Sequence, residues 1–245
     1  MKLRWRAASA ALAAALLLGG LSACTSSPRT SYTTASGEEV AVDWKDFPAP
    51  SGNEPDQLLR APVAEDIESV SAGILTDITA ALTQEFGLAW ATSGESSWHA
   101  GAGNGYGGVA MSTTYNSVSW ASGTVPPSAE WARVVEIVNG FASARGLDKT
   151  GLESPETFVW FGTAYGDTQW VSVEIHDAAL APAGKAASNY AQIKQPPAAI
   201  FLSYGATALP RNDRPAFIKD LEPFAGLERP ESTTSDKVRP PFRSA

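Results

Sequence analysis

The sequence predicts an α+β fold: a two-layer sandwich with two helices packed on one face of an antiparallel sheet of four to five strands. Three observations carry that prediction. Val63, Ile67, Val70, Ile74, Ile78, Leu82 and Phe86 recur at spacings of three and four residues, and so do Trp131, Val134, Val135, Val138 and Ala142. Such spacing lays one apolar stripe along a helix. Val171, Val173 and Ile175 alternate with Ser172, Glu174 and His176, the pattern of a half-buried strand. Helix, two strands, helix and two or three further strands is an α+β order.

The first helix is expected from about Val63 to Phe86. Pro62 suits its first turn, and Glu65, Asp66 and Glu68 sit near its amino end, where the helix dipole favours acids. Gly87 stops it, and Gly73 weakens its middle. Strand-like segments follow around Leu88–Thr92 and Gly108–Ser122, the second rich in Val, Thr, Tyr and Trp. The run from Ser122 to Pro127 breaks the pattern before a second helix, about Ser128 to Arg145, with Ser128 as its cap and Gly146 at its end. Thr157–Ala164 and Gln169–Ala178 read as a hairpin turning through Tyr165-Gly166-Asp167-Thr168, with one dry and one wet face. A last strand falls within Ala198–Tyr204. No internal repeat is visible.

Four segments result. Residues 1–23 form a leader, 24–61 a flexible tether, 62–210 a single domain and 211–245 a Pro-rich, largely disordered tail. The 37 residues from Thr25 to Ala61 would reach roughly 30–37 Å as a coil. Within them Val42-Asp43-Trp44-Lys45-Asp46-Phe47 stands out, because a Trp and a Phe are wasted in a pure tether. This stretch is expected to dock on the domain.

The leader opens with Lys2, Arg4 and Arg6, continues with an apolar run from Ala7 to Leu18 and closes on Leu21-Ser22-Ala23-Cys24. Cys24 is the only cysteine, so no disulfide is available to the fold. The apolar run is short for a membrane span, which needs roughly 20 residues. Plain secretion with an unmodified thiol is the other alternative. The closing block resembles the lipobox of bacterial lipoproteins of the actinobacterial type. That resemblance implies cleavage between Ala23 and Cys24, a diacylglyceryl group on the Cys24 thiolate, and anchorage on the outer face of the cell membrane. Trp90, Tyr106-Gly107-Gly108, Trp120-Ala121-Ser122-Gly123, Pro126 and Trp131 resemble the LppA-like lipoproteins of mycobacteria and related actinobacteria, over about Val63 to Tyr204. That family implies a surface-lipoprotein role and supplies no catalytic residue.

The formal net charge is −8. Loss of residues 1–23 removes three cations and no acids, leaving −11. Such a chain is expected to be repelled by nucleic acid and by anionic lipid surfaces.

Three constellations could carry chemistry. Gly103-Asn104-Gly105-Tyr106-Gly107-Gly108 satisfies G-x-G-x-x-G but leads into a strand-like segment. A dinucleotide site needs a helix there, so the glycines read as a loop and no cofactor is expected. His99 and His176 are the only histidines. Glu174 and His176 share the wet strand face as a solvent-facing pair; a metal site needs three or four convergent ligands, His99 could complete one only if the glycine loop folds over, and no metal is assigned. No G-x-S-x-G or S-x-x-K occurs, and no catalytic residue is assigned. Trp98 precedes the glycine loop and is the best candidate for an exposed stacking ring. Trp98, His99, Gly105, Glu174 and His176 are therefore the candidate ligand contacts.

The functional expectation is a non-enzymatic binding or envelope-interaction module, with cell-wall glycan or another envelope protein as partner. A carrier of an apolar or lipid ligand is the alternative and requires a cavity between helices and sheet. A cryptic hydrolase would require His176 within reach of a Ser and a carboxylate.

Overall fold

A computed structural model describes residues 27–156, 158–181 and 196–233, with residues 151–156 described by their backbone alone. The apolar stripe around Ile74 lies on helix α2, Ala64–Phe86, which follows a six-residue helix α1, Pro55–Arg60. Gly87 ends α2 in the left-handed conformation, φ 68°, and returns its N–H to the Thr83 carbonyl. Helix α3 spans Trp131–Ser143 and buries Trp131, Val134, Val135, Val138 and Ala142. Ser128 does not cap it. A 3-10 turn over Ser128–Glu130 leads in, and Glu130 holds the cap position without a side-chain bond. Helix α4 is Arg214–Leu221.

Ten strands are described: β1 Arg29–Thr33, β2 Glu39–Asp43, β3 Ala91–Ser93, β4 Ser97–Ala100, β5 Thr113–Asn116, β6 Ser119–Ser122, β7 Gly151–Glu156, β8 Val159–Tyr165, β9 Gln169–Asp177 and β10 Ala198–Ala208. β1 and β2 form a separate antiparallel pair. The other eight make one antiparallel sheet in the order β3-β6-β10-β9-β8-β7, with β5 on β10 beyond β6 and β4 on β5. β5 and β6 share one rank along β10. The break between them is a β-bulge: the three residues Ser117 to Ser119 stand against only Ser203 and Tyr204 of the partner strand, and the Ser117 hydroxyl accepts the Tyr204 N–H at 2.9 Å.

This overturns the predicted two-helix sandwich of four to five strands. The described residues hold four α-helices, an eight-stranded sheet and a two-stranded sheet. The added elements are short, from three to eight residues, and too brief to show a period. β7 carries a proline, and Pro155 falls at its register shift, opposite an irregularity.

α2 and α3 cover one sheet face. Ile67, Ile74, Ile78, Leu82, Val134 and Val138 meet Val171, Val173, Ile175, Ile200, Leu202 and Tyr204 in the main core. Trp160 points into this core and meets Trp131 edge-on at 5.7 Å. The opposite face is not simply wet: Ser172, bonded to Thr163 at 3.0 Å, and His176 are buried there. Trp170 covers Gly205, where an added Cβ would stand 2.1 Å from its ring.

A second core closes the Leu209 end of the sheet. Trp44, Phe47, Leu58, Tyr106, Leu209, Phe217 and Phe224 pack together. Trp44 stands 5.2–5.5 Å from the rings of Phe47, Tyr106 and Phe224. Residues 27–61, read from the sequence as a flexible tether, are therefore a hairpin, a 3-10 turn and α1 built into the fold. Residues 211–233, read as the start of a disordered tail, supply α4 and Phe224. Arg214 joins the two segments by donating to the carbonyls of Leu59 and Ala61 at 3.1 and 2.6 Å. The leader with Cys24, the start of the predicted hairpin at Thr157 and the tail from Thr234 onward lie outside the described residues.

Candidate functional site

The five predicted contacts do not converge. Trp98 sits at the sheet edge on the helix-covered side, 39% exposed, its ring 4.9 Å from Tyr115 and its Nε1–H donating to Glu68 of α2 at 3.1 Å. It is a brace between sheet edge and helix. His99 pairs across β5 with Thr114, and Thr114 with Thr207 of β10; His176 pairs with Ala199 of β10. Eight residues of β10 separate those positions, roughly 26 Å at strand rise, so the two histidines cannot share an ion. Among the described residues no group of three or more His, Cys, Asp or Glu is placed to hold a metal.

His176 is fully buried. Its Nε2 meets the Pro196 carbonyl at 2.9 Å and its Nδ1 meets Glu174 Oε1 at 3.1 Å. A carbonyl only accepts, so Nε2 carries a hydrogen. Both nitrogens are thus engaged, which suits an orienting pair rather than a base waiting for a serine proton. The row Phe161–Glu174–Phe201 crosses three strands on this face, and the His176 ring lies 5.8 Å from Phe201.

Gly105 belongs to a clasp. Asn104, 1% exposed, donates from Nδ2 to the carbonyls of Trp44, Lys45 and Phe47 at 2.8–3.2 Å, while its Oδ1 accepts the N–H groups of Tyr106 and Gly108 at 3.0 Å. A Cβ on Gly108 would lie 1.8 Å from the Lys45 carbonyl oxygen, so only glycine fits that approach. The Gly105 carbonyl accepts from Ser232 Oγ at 2.8 Å and from the Thr233 N–H at 3.0 Å, and the Tyr106 hydroxyl donates to Pro230 at 3.0 Å. The glycine motif ties the first and last described segments to the sheet. It runs on into the Gly103–Val109 bridge and β5, not into a helix as a dinucleotide motif would.

What the sequence reading missed is a polar cleft of about 370 Å³. Three loops build it: Gln57, Arg60, Ala61 and Pro62 at the end of α1; Arg145 to Asp148 after α3; and Gly166 to Gln169 in the β8–β9 turn. Several of its polar side chains are held by the protein. Gln57 donates to Asp167 Oδ1 at 3.0 Å, Arg60 approaches Asp167 Oδ2 at 3.9 Å, and Arg145 donates to Asp77 at 2.7 Å. The buried Tyr204 hydroxyl donates to Gln169 Oε1 at 2.7 Å, which turns the Gln169 amide hydrogens away from Tyr204. Burial, and then the neighbouring Tyr115, push the Tyr204 phenol well above its ordinary value, so it remains a donor. Two guanidiniums and the carboxylates of Asp148 and Asp167 line one concavity, which offers donors and acceptors to a polar ligand without a large net field. The sequence signal for it was slight, a Gly-Asp-Thr turn and an Arg-Gly helix end lying far apart in the chain.

No protein-family model matches this chain, and neither the curated proteins nor the solved structures give a significant match.

Proposed function

We propose that this protein is a lipid-anchored extracytoplasmic module without catalytic activity, and that its cleft binds a polar fragment of the cell envelope. Anchorage rests on the leader ending Leu21-Ser22-Ala23-Cys24. Among the described residues no helix is long and apolar enough to cross a membrane. Binding rests on one observation: the cleft between α1, the loop after α3 and the β8–β9 turn, in which Arg145 is bonded to Asp77, Arg60 to Asp56 with Asp167 at ion-pair distance, and Gln169 to Tyr204. Pre-orientation lowers the ordering cost of binding. The apolar-carrier reading has less support, because the space between α2, α3 and the sheet is filled by Ile67, Ile74, Ile78, Leu82, Val138 and Ile175, all fully buried.

The test is calorimetric titration of the protein with soluble disaccharide-peptide fragments of cell wall, alongside Arg145→Ala and Asp148→Ala. Saturable binding that both substitutions weaken at least tenfold supports the reading. Absence of binding, or binding indifferent to both substitutions, refutes it.

A further inference from the structure

The fold begins almost at the anchor. Ser27 is already built in: its Oγ accepts the Lys45 N–H at 2.7 Å, and the next residue's carbonyl, on Pro28, accepts the Trp44 N–H at 2.9 Å. Three peptide units separate Cys24 from Ser27, at most about 11 Å of chain. If Cys24 carries the lipid, the body cannot stand off at the roughly 30–37 Å a coil of residues 25–61 would allow. It is held against the bilayer by one pole.

The contacts say what else that pole contains. Lys45, bonded to Ser27 through its N–H, presses its carbonyl on Gly108, and Val109 follows. Val109 is 71% exposed, the most exposed of the large apolar side chains among the described residues. Standard backbone spacing puts it within roughly 15 Å of Ser27. It is fixed rather than dangling: the Gly103–Val109 bridge holds its backbone, and its Cγ1 fills the place of a Cβ on Gly101. Nearest Ser27, Arg29 forms an ion pair with Asp43, and Lys45 is followed in the chain by Asp46.

We infer that the Ser27–Lys45–Val109 pole rests on the phospholipid surface and that the Val109 side chain enters its headgroup region. This inference rests on the lipid-anchor reading above. It also orients the sheet. The second core, which contains Trp44 and Phe47, closes the Leu209 end of β10, whereas Ala198, Asp177 and the following Leu180 lie at the other end. Ten residues of β10 separate the two ends, roughly 33 Å at strand rise. The Leu209 end is the membrane-proximal one.

The experiment uses the full chain, expressed with its leader in a lipidating host. One thiol is added, Val109→Cys or Leu180→Cys, because Cys24 is consumed by the lipid. Each purified lipoprotein is labelled with an environment-sensitive nitrobenzoxadiazole probe and reconstituted in phosphatidylethanolamine–phosphatidylglycerol vesicles carrying shallow nitroxide lipids. The expected result is a blue-shifted emission quenched by nitroxide at position 109 and a water-like, unquenched emission at 180. Lys45→Cys repeats the proximal measurement should the first variant fold poorly. Protein that floats with the vesicles while 109 and 45 stay unquenched overturns the inference and leaves the anchor intact. Protein that does not float, with an unmodified Cys24 by mass, overturns the anchor and the inference together.

Discussion

Asn104→Ala should detach both chain ends from the sheet. The Asn104 amide offers two hydrogens, shared among the carbonyls of Trp44, Lys45 and Phe47, and its oxygen accepts two backbone N–H groups. That makes four full bonds at about 0.5–1.5 kcal/mol each, or roughly 2–6 kcal/mol, in a place water does not reach. A domain of this size loses about 2–4 °C of melting temperature per kcal/mol, so a mid-range loss of about 4 kcal/mol corresponds to roughly 8–16 °C. The assay pairs calorimetry with limited proteolysis, because the second core can open before the main one and melting then need not be two-state. New cleavage is expected between residues 27 and 50. Asn104→Asp sharpens the test: it keeps an acceptor for Tyr106 and Gly108 but sets an oxygen against three carbonyl oxygens, and should destabilise at least as much at neutral pH. A melting shift below about 2 °C in the alanine variant, or a wild-type-like aspartate variant, would refute the clasp.

Gly205→Ala places a methyl where the Trp170 ring lies, 2.1 Å from it, and should cost about 1–3 kcal/mol with a red-shifted tryptophan emission; unchanged emission would show that Trp170 does not lie on the sheet. Tyr204→Phe removes the donor to Gln169 and should cost about 1 kcal/mol in urea denaturation while weakening any ligand bound in the cleft, a link that fails if affinity is untouched. Glu65 accepts its own N–H and that of Arg211, which hold its carboxyl below the usual 4.5. Its contribution is complete above that value and fades as pH falls through the lower native one. The stability gap between wild type and Glu65→Gln should therefore be larger at about pH 6 than at about pH 3. An equal gap at both would remove the assigned bond to Arg211.

The parts of this fold that could be read from the sequence are those whose partners lie within a few residues. The stripe from Ile67 to Leu82 is legible because helix geometry alone brings those residues onto one face, and Val171, Val173 and Ile175 because a strand alternates. Periodicity reports a face but not what covers it. Ser172 and His176 carry the polar alternation of a wet face and are buried all the same. Trp98 illustrates the same limit from the other side. A ring flanked by serines and a histidine reads as a stacking platform until Glu68, thirty residues away, is seen to hold its indole N–H.

The second core shows why composition misled. Its apolar residues come in ones and twos: Trp44 and Phe47 among prolines and acids, Leu58 in a single short helix, Tyr106 among glycines, Phe217 and Phe224 in a charged, Pro-rich run. Each stretch alone has too few apolar side chains to offset its own ordering entropy, which is the physical content of reading it as disordered. Together they form a core, but the pairing of Trp44 with Phe224 spans most of the chain and leaves no local trace. The one clue available was the cost of placing Trp and Phe in a supposed tether. The glycine motif supplies the missing half of that clue: glycines are needed wherever backbone must approach closely, and here the closely approaching group is the carbonyl of Lys45 rather than a phosphate. A G-x-G-x-x-G run without a following helix is thus better read as a question about which backbone it meets. In this chain that backbone lies three residues before Pro48, in the segment that brings the fold to within a few residues of Cys24.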